Sequence, residues 1–250
     1  MRVSIITASF NSSSTLEATL ASFRSQNYPD KELIVIDGCS TDGSLEIIKA
    51  SGSTITRWIS EPDAGIYDAL NKGIGMTTGD IIGFLHSGDT YANSEILQKL
   101  AFHFVNDRAD AVYGDLRYVN SEKRENIVRY WKSGLFYPGI LSKGWMPPHP
   151  TLYMRRDVYR EHGLFDLNFR IAADYDLMLR VLLQPGIRIN YIPEVLIDME
   201  TGGLSNGSLK NIARKSLEDL RAIRKNGMKN SLWVLARKNL SKLGQFFGDK

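Results

Sequence analysis

The chain has 250 residues, 43% of them hydrophobic, and a net charge of +3. This length and mixed composition are typical of one large globular domain, with or without an appendage, and exclude a mainly disordered chain. The single cysteine, Cys39, excludes an internal disulfide and a thiolate metal cluster, which fits a reducing compartment. Neither a signal peptide pattern nor a run of ~18 apolar residues is present, so we expect a cytoplasmic protein.

The charge is distributed unevenly. Residues 210–250 contain 11 Lys or Arg and 3 Asp or Glu, a charge of +8. The preceding 209 residues contain 20 Lys or Arg and 25 Asp or Glu, a charge of −5. A basic extension on an acidic body indicates an anionic partner surface, either a membrane or a nucleic acid.

Predicted strands and helices alternate through the first half. Buried strands over 3–9 and 32–37 are separated by about thirty residues, the length of one βαβ unit. Further strands are expected over 56–60, 80–85 and 111–119, and helices over 16–23, 45–50, 94–104 and from residue 66. This alternation predicts an α/β fold with a central, mostly parallel sheet flanked by helices.

The stretch 80–89 is central to this half. It reads Asp-Ile-Ile-Gly-Phe-Leu-His-Ser-Gly-Asp, an apolar run typical of a strand buried on both faces, followed by a small acidic turn. Ligands bind at the carboxyl ends of strands in open parallel sheets, so Asp89 could hold a metal ion or contact a substrate. The alternative is an ordinary turn aspartate after a glycine.

The second half is less regular. Four of the eight prolines fall within 134–150, which predicts a long structured loop over the sheet edge. A strand over 151–154, helices over 156–162 and from 174, and a strand over 188–192 follow. We therefore divide the chain into a domain over 1–209, with halves 1–119 and 120–209, and a basic helical extension over 210–250.

Several common motifs are absent or misplaced. The glycines of 73–79 close a helix and precede a strand, whereas the dinucleotide-binding fingerprint leaves a strand and opens a helix. The sequence has no phosphate loop with Gly-Lys-Ser or Gly-Lys-Thr, no His-Glu-x-x-His and no Gly-x-Ser-x-Gly.

Four aspartates remain as candidates: Asp37, Asp63, Asp89 and Asp174. Each alone could be a cap or turn residue. The first three fall at the carboxyl edge of the predicted sheet, where a diphosphate could be held through Mg²⁺ or Mn²⁺ on Asp89. Asp174 follows two alanines, so its desolvated carboxylate could act as a base, although it could equally be the N-cap of the next helix. His149 lies between two prolines and could be a ligand or a loop histidine bonded to the backbone.

Ordered motifs between residue 3 and about residue 205 resemble the family 2 glycosyltransferases, inverting enzymes with the GT-A fold. They are the segments 3–11, 32–38, 40–43, 60–63, 65–69 and 71–73, which include Val-Ser-Ile-Ile-Thr-Ala-Ser-Phe-Asn and Glu-Leu-Ile-Val-Ile-Asp-Gly. The resemblance implies a UDP-sugar donor and a divalent cation, Mn²⁺ or Mg²⁺.

The resemblance also implies roles for individual residues. Thr7, Asp37 and Asp63 would contact the uracil and ribose, within a nucleotide-binding set of Thr7, Ala8, Asn11, Asp37, Asp63, Tyr67, Asn71, Ser87 and Gly88. Asp89 would hold the metal, with His149 as a further ligand. Asp174 would deprotonate the acceptor hydroxyl, supported by His149, Asp176 and Arg180.

Two departures from the family pattern refine this prediction. The Asp-x-Asp metal motif is replaced by Ser87-Gly88-Asp89, so fewer protein ligands are expected for the cation. The Gln-x-x-Arg-Trp motif of processive synthases is missing, which predicts transfer of a single sugar. The resemblance implies that this transfer serves the synthesis of a bacterial-type surface polysaccharide. A nucleotidyltransferase and a non-catalytic nucleotide-sugar-binding protein stay as alternatives. The loop 8–14 lacks the glycine and lysine of the former, and the pair Asp89 and Asp174 speaks against the latter.

The end of the extension predicts an amphipathic helix. Ala236, Leu240, Leu243 and Phe247 share one face with Trp233 at its edge, while Arg237, Lys238 and Lys242 point elsewhere. Residues 230–247 could therefore lie on anionic lipid at the inner face of the plasma membrane, where a lipid-linked acceptor would be found; we expect no nucleic-acid partner. The alternative is a helix packed on its own domain or on a second subunit of a homo-oligomer.

Overall fold

The computed structural model describes residues 1–121, 123–137, 139–201 and 209–241. Within these ranges, one nine-stranded sheet forms the centre of the molecule. Its strands are β1 (Val3–Ser9), β2 (Lys31–Asp37), β3 (Arg57–Ser60), β4 (Ile81–Phe84), β5 (Thr90–Tyr91), β6 (Ala111–Val119), β7 (Ile127–Trp131), β8 (Tyr153–Arg155) and β9 (Ile189–Glu200).

Eight α-helices in the described ranges flank this sheet. They are α1 (Leu16–Arg24), α2 (Ser44–Ala50), α3 (Ile66–Met76), α4 (Ile96–Asn106), α5 (Arg156–His162), α6 (Ala173–Leu182), α7 (Leu209–Lys225) and α8 (Ser231–Ser241). Short 3-10 turns lie at Gly52–Thr54, Ile140–Lys143 and His149–Thr151. None of the described helices is long and apolar enough to span a bilayer.

The sheet has a parallel half and a mixed half. Its strand order is β3-β2-β1-β4-β8-β6-β9-β5, and β7 pairs with β6 beside β8. The pairings among β3, β2, β1 and β4 are all parallel. Beyond β4, only β6 and β9 pair in parallel, whereas β8, β7 and β5 are antiparallel to their neighbours. The α/β class is confirmed, but the predicted mostly parallel arrangement holds only for the half of the sheet formed by β1, β2, β3 and β4.

Both faces of the parallel half are buried, which explains its continuous apolar runs. Ile5 and Ile6 of β1 point to opposite faces, as consecutive strand residues must. Ile6 packs in a cluster with α3, α5 and α6, and Ile5 packs in a second cluster with α1 and α4. Burial of both sets removes a large apolar area from water and is the main stabilising contribution to this half.

Two of the strands were not predicted from the sequence, and the predicted length of a third is too short. β5 has only two residues and β7 is partly exposed, so neither has a clear apolar pattern. β9 extends twelve residues, to Glu200, although only 188–192 was predicted as strand. Its later residues alternate between apolar and acidic side chains, and pairing with β6 keeps them extended.

The helices of the basic extension pack on the domain. Ala222, Ile223 and Val234 are buried in the same cluster as α6. Lys238, which was expected to point away from the apolar face, is also buried, and its Nζ lies 2.6 Å from Asp219 Oδ1. Trp233 and Leu240 of the predicted face are exposed, whereas Lys242, Leu243, Phe247 and the loop 202–205 lie outside the described residues.

Candidate active site

The carboxyl ends of β1, β2 and β3 lie level at one edge of the sheet. The register pairs Ser9 with Asp37 and Asp37 with Ser60. Asp37 is fully buried, and its carboxylate accepts hydrogen bonds from the backbone of Ser40 (3.0 Å) and from the Ser60 hydroxyl (2.7 Å). These bonds fix the loop after β2 where a nucleotide would bind.

Asn11 links the first two loops of this edge. Its backbone N–H donates to Ser40 Oγ at 2.8 Å, and its side-chain oxygen accepts from Thr41 N at 2.9 Å. Asn11 has a φ of 48°, a conformation that asparagine tolerates better than most residues. Thr7 is fully buried and its hydroxyl donates to the carbonyl of Leu85, so its side chain holds β1 to β4 beneath this surface.

Phe10 lies beside the aspartate of the next loop. A Cβ added to Gly38 would lie 2.7 Å from Asp63 Oδ2 and 3.2 Å from the Phe10 ring, so only glycine leaves room for both side chains. Asp63 also accepts from the backbone of Gly65 at 2.8 Å. The Phe10 side chain is 64% exposed. An exposed ring beside a carboxylate could stack on a nucleotide base, and the sequence alone did not single this ring out.

The turn after β4 presents Asp89 to the interior of the site. Gly88, with a φ of 95°, donates its N–H to Thr19 Oγ1, and the Ser87 hydroxyl donates to the carbonyl of Ala8. Asp89 is 3% exposed, and burial raises its pKa to about 8. Its Oδ2 is buried and has no hydrogen-bond partner among the described residues.

Arg124, from the turn between β6 and β7, covers this acidic turn. Its guanidinium donates to the carbonyl of Gly88 and to Thr90 Oγ1, both at 3.0 Å, and pairs with Glu200 at the end of β9. The positive charge of Arg124 opposes the effect of burial on the Asp89 pKa, while the charge of Glu200 adds to it. No sequence signal indicated Arg124, because its position depends on the β6–β7 hairpin.

Two histidines and two phenylalanines form a stack next to this turn. The ring of His149 lies 5.8 Å from His86, 5.0 Å from Phe84 and 5.6 Å from Phe165, measured between centroids. Burial lowers the pKa of His86 to about 3, and burial also lowers the pKa of His149 despite the nearby charge of Asp174. Both imidazoles are therefore neutral at physiological pH, the form that binds metals.

Two buried donor atoms in this region could contribute to a site for a divalent cation. Asp89 Oδ2 and His149 Nε2 are both buried without a hydrogen-bond partner in the described part of the chain. No group of three or more His, Cys, Asp or Glu side chains in these ranges is arranged as a complete metal site. Mg²⁺ and Mn²⁺ sites that bind nucleotides complete their coordination with substrate phosphates and water, so a partial protein set is sufficient.

Asp174 lies in the first turn of α6. The helix N-cap is Ala172, so the alternative of an N-cap aspartate is not what the structure shows. Asp174 Oδ1 accepts from the backbone of Tyr175 at 2.8 Å and lies 3.1 Å from the Tyr67 hydroxyl. Within the described residues, Oδ2 has no hydrogen-bond partner, and the side chain is only partly buried. One carboxylate oxygen is thus fixed, and the other is available to an acceptor.

Three predicted site residues have structural roles in this conformation. Both ends of the Asn71 amide bond the backbone of Phe165, at 2.9 and 3.0 Å. Asp176 is fully buried and accepts from Arg180, from Lys225 (2.9 Å) and from the Asn226 side chain (3.0 Å). Arg180 also donates to the carbonyl of the last residue of α5, His162, and to that of Leu164. These residues hold α3, α5, α6 and α7 together around Asp174.

Solved structures of sugar transferases share this fold. Staphylococcus aureus TarS matches with a TM-score of 0.69 at 18% identity, over 99% of this chain and 44% of that one. Its fragment 1–349 in complex with UDP-GlcNAc gives a TM-score of 0.68 at 17% identity, over 96% of this chain and 72% of that one. The mannosyltransferase PcManGT from Pyrobaculum calidifontis, in complex with GDP-Man and Mn²⁺, gives a TM-score of 0.67 at 17% identity. This match covers 100% of this chain and 76% of that one. The fold is therefore that of the GT-A glycosyltransferases.

Sequence comparison gives the family. Residues 4–163 match the sequence model of Glycosyl transferase family 2. A PGL/p-HBAD biosynthesis glycosyltransferase of Mycobacterium tuberculosis strain H37Rv is 30% identical over 208 residues, covering 81% of this chain and 78% of its own length. An uncharacterized glycosyltransferase of Haemophilus influenzae is 29% identical over 223 residues, covering 84% of this chain and 68% of its own length. The chain belongs to glycosyltransferase family 2 and is a glycosyltransferase, as the motifs predicted.

Proposed function

We propose that this enzyme transfers one sugar from a UDP-linked donor to an acceptor hydroxyl with inversion at the anomeric carbon. The observation that carries the proposal is the state of Asp174: Tyr67 and the backbone of Tyr175 fix one oxygen, and the other has no hydrogen-bond partner among the residues that the structure describes. Asp174 is also close enough to His149 to influence its pKa, and His149 stacks on the residues leading to Asp89. A base and a diphosphate site would therefore share one cleft.

The base acts on the acceptor. Asp174 takes the proton of the acceptor hydroxyl while the hydroxyl oxygen attacks the anomeric carbon. The new glycosidic bond forms on the face opposite the bond to the diphosphate, which breaks and releases the nucleoside diphosphate. Tyr67 keeps the carboxylate in one orientation, so little ordering is needed as the reaction proceeds.

The donor is expected to bind at the edge formed by β1, β2 and β3. Phe10 offers a ring to stack on the base, Asp63 offers an acceptor for ribose or base donors, and Asp37 with Asn11 shapes the surrounding loops. Support for a nucleotide sugar comes from the neighbours, whose structures contain UDP-GlcNAc, UDP or GDP-Man. We propose UDP rather than GDP because the resemblance of the motifs within residues 3–73 to the family implies a UDP-sugar donor.

A divalent cation, Mn²⁺ or Mg²⁺, would be held by Asp89 together with His149. A bound cation would neutralise charge on the leaving diphosphate. The chain's own contribution is two buried donor atoms that have no hydrogen-bond partner within the described ranges, beside a cluster of packed rings. His86 supports His149 from the other side of this stack.

A lipid-linked saccharide, used in surface polysaccharide synthesis, is our proposed acceptor, and this would place the enzyme at the cytoplasmic face of the membrane. The outer surface of α8 exposes Leu232, Trp233 and Leu240 beside the cation Arg237, whose guanidinium lies 5.1 Å from the Trp233 ring. Exposed apolar and basic side chains on one helix suit anionic lipid.

Vesicle sedimentation tests the membrane contact without unfolding the helix. Replacing Leu232, Trp233 and Leu240 by Ser leaves the buried Val234 and Lys238 in place and should abolish binding to vesicles of anionic lipid. Phe102→Ser, which removes an equally exposed ring from α4, is the control. Unchanged binding of the triple variant would refute a membrane role for α8.

The catalytic proposal is tested with three proteins and a panel of nucleotide sugars. UDP with Mn²⁺ should raise the melting temperature of the wild type, and the best donor in this screen should support transfer. Asp174→Asn should abolish transfer and keep UDP binding, whereas Asp89→Ala should weaken the metal-dependent part of that binding. Loss of both binding and transfer in Asp174→Asn would remove Asp174 from the role of base.

A further inference from the structure

The loop before α6 is held by an acidic side chain from α7. Backbone N–H groups of Arg170, Ile171 and Ala172 all donate to Oε2 of Glu218, at 3.0, 2.7 and 3.0 Å. These groups precede a helix whose N-cap, Ala172, has no side chain able to accept a hydrogen bond. A carboxylate that is 46 to 48 residues away in the sequence thus holds the loop that leads into α6, including the N–H of the N-cap residue.

The same loop is held from the opposite side by Tyr67. Its hydroxyl lies 2.7 Å from the carbonyl oxygen of Ile171 and 3.1 Å from Asp174 Oδ1. Ile171 is therefore fixed at its N–H by Glu218 and at its carbonyl by Tyr67. Because Asp174 follows only three residues later, these contacts set the position of its carboxylate.

Glu218 is itself held in place by the docking of α7. The next residue, Asp219, is buried and bonds Lys238 of α8 at 2.6 Å, and the Lys238 ammonium lies 3.3 Å from the centre of the Tyr175 ring. At the other end of α7, Lys225 bonds Asp176 at 2.9 Å. Helix α7 consequently contacts the chain on both sides of Asp174.

We propose that Glu218 is a positioning residue for the catalytic base, and that the basic extension is thereby a working part of the active site. This inference rests on the proposed role of Asp174. A carboxylate that accepts three N–H groups forms charge-assisted bonds, which are stronger and more restrictive than neutral ones. Without them the start of α6 can shift, and Asp174 loses its alignment with the acceptor hydroxyl.

The test compares Glu218→Ala and Glu218→Gln with Asp157→Ala, which removes an exposed carboxylate of α5 that pairs with Arg160. We expect Glu218→Ala to lower kcat by about ten- to a hundredfold, because small displacements of a reacting group have effects of this size. The donor KM and UDP affinity should stay within about twofold, since the nucleotide side is unaffected. Glu218→Gln keeps an oxygen acceptor without the charge and should lower kcat less.

The split between kcat and KM, with partial rescue by glutamine, separates positioning from general stability. The Glu218 variants should lower kcat while the donor KM stays within about twofold, whereas Asp157→Ala should leave kcat unchanged. A wild-type kcat in whichever Glu218 variant folds would overturn the proposal, as would equal losses of kcat in Glu218→Ala and Asp157→Ala. If Asp174→Asn were fully active, the proposed base would be wrong, whatever the Glu218 variants showed.

Discussion

The polar side chains around the cleft divide into those that face it and those that hold its walls. Asp174, Asp63 and Phe10 keep exposed surface at the proposed site, whereas the side chains of Asn71 and Asp176 bond other parts of the protein. The sequence indicated that all four polar residues belong to this region, because family motifs conserve position. It could not separate the two roles, because most of the partners, Phe165 for Asn71 and Lys225 and Asn226 for Asp176, are 49 to 94 positions away.

Phe10 gives the sharpest prediction for a single residue. Replacement by Ala should raise the donor KM by about tenfold or more, since stacking of a base on an aromatic ring contributes about 1–3 kcal/mol. The melting temperature should hardly change, because the ring is 64% exposed. Isothermal titration with UDP measures the effect, and Phe102→Ala, which removes a ring that is 59% exposed on α4, is the control. Equal affinities for the two variants would exclude stacking on Phe10.

Among the single elements, helix α3 packs in the core and also carries Tyr67, which contacts Asp174. The end of α3 was predicted from the glycines at 73 and 75. These two glycines lie in different environments within the last turns of the helix. A Cβ on Gly73 would lie 2.5 Å from the side chain of Ile6, so this glycine allows the helix to approach β1 closely. Gly75 is exposed, with nothing within 4 Å of a Cβ. This close approach also carries Tyr67 towards Asp174.

The two glycines therefore predict opposite results. Gly75→Ala should raise the free energy of unfolding by about 0.5–1 kcal/mol, because alanine favours helix more than glycine does. Gly73→Ala should lower it, because overpacking of the core costs about 1–3 kcal/mol and exceeds the same gain in helix propensity. Urea unfolding of both variants measures the difference. Stabilisation by both substitutions would mean that α3 does not pack tightly on β1.

The packing of helix α8 against the turn at Gly144 can be tested in the same way. Gly144 has a φ of 77°, and a Cβ there would lie 2.3 Å from the backbone nitrogen of Lys238. Gly144→Ala should therefore displace α8 and destabilise the protein more than Gly139→Ala. Gly139 also has a positive φ, 86°, but open space around it, so its substitution should cost only the conformational penalty of about 1–2 kcal/mol. Hydrogen exchange of α8 amides reports the displacement; equal exchange in both variants would contradict the docking of α8 on this turn.

For the whole molecule, the edge opposite the active site holds the parallel half together. Glu32 is fully buried at the start of β2 and accepts from Ser4 Oγ (2.6 Å), Thr78 N (2.6 Å) and Gly79 N (3.1 Å). It thereby joins β1 and β2 to the turn that leads into β4. Burial alone would raise the Glu32 pKa, but these bonds and the nearby Arg2 outweigh burial and lower it.

This lowered pKa predicts how stability depends on pH. The folded state binds the Glu32 proton less readily than the unfolded chain, whose glutamate has an ordinary pKa of 4.5. The stabilisation is therefore complete above about pH 4.5 and is lost as the pH falls through the folded pKa. Glu32→Gln should be less stable at pH 7, with a shallower loss of stability below about pH 4.5. Glu17→Gln on the exposed face of α1 is the control, and an unchanged slope for Glu32→Gln would contradict this account.

The α/β class, most helices and strands of the first half, the family, and Asp89 and Asp174 as candidate site residues could all be predicted from the sequence. These follow from local apolar patterns and short motifs, which depend on neighbouring residues. Tertiary structure decided the mixed half of the sheet, the inward course of Lys238, the position of Arg124 over the acidic turn and the contact of Glu218 with the loop before α6. Each depends on bonds between distant segments, which no local pattern records. The Asp89 turn was therefore predictable as a candidate, but which residues surround and orient it depended on the fold.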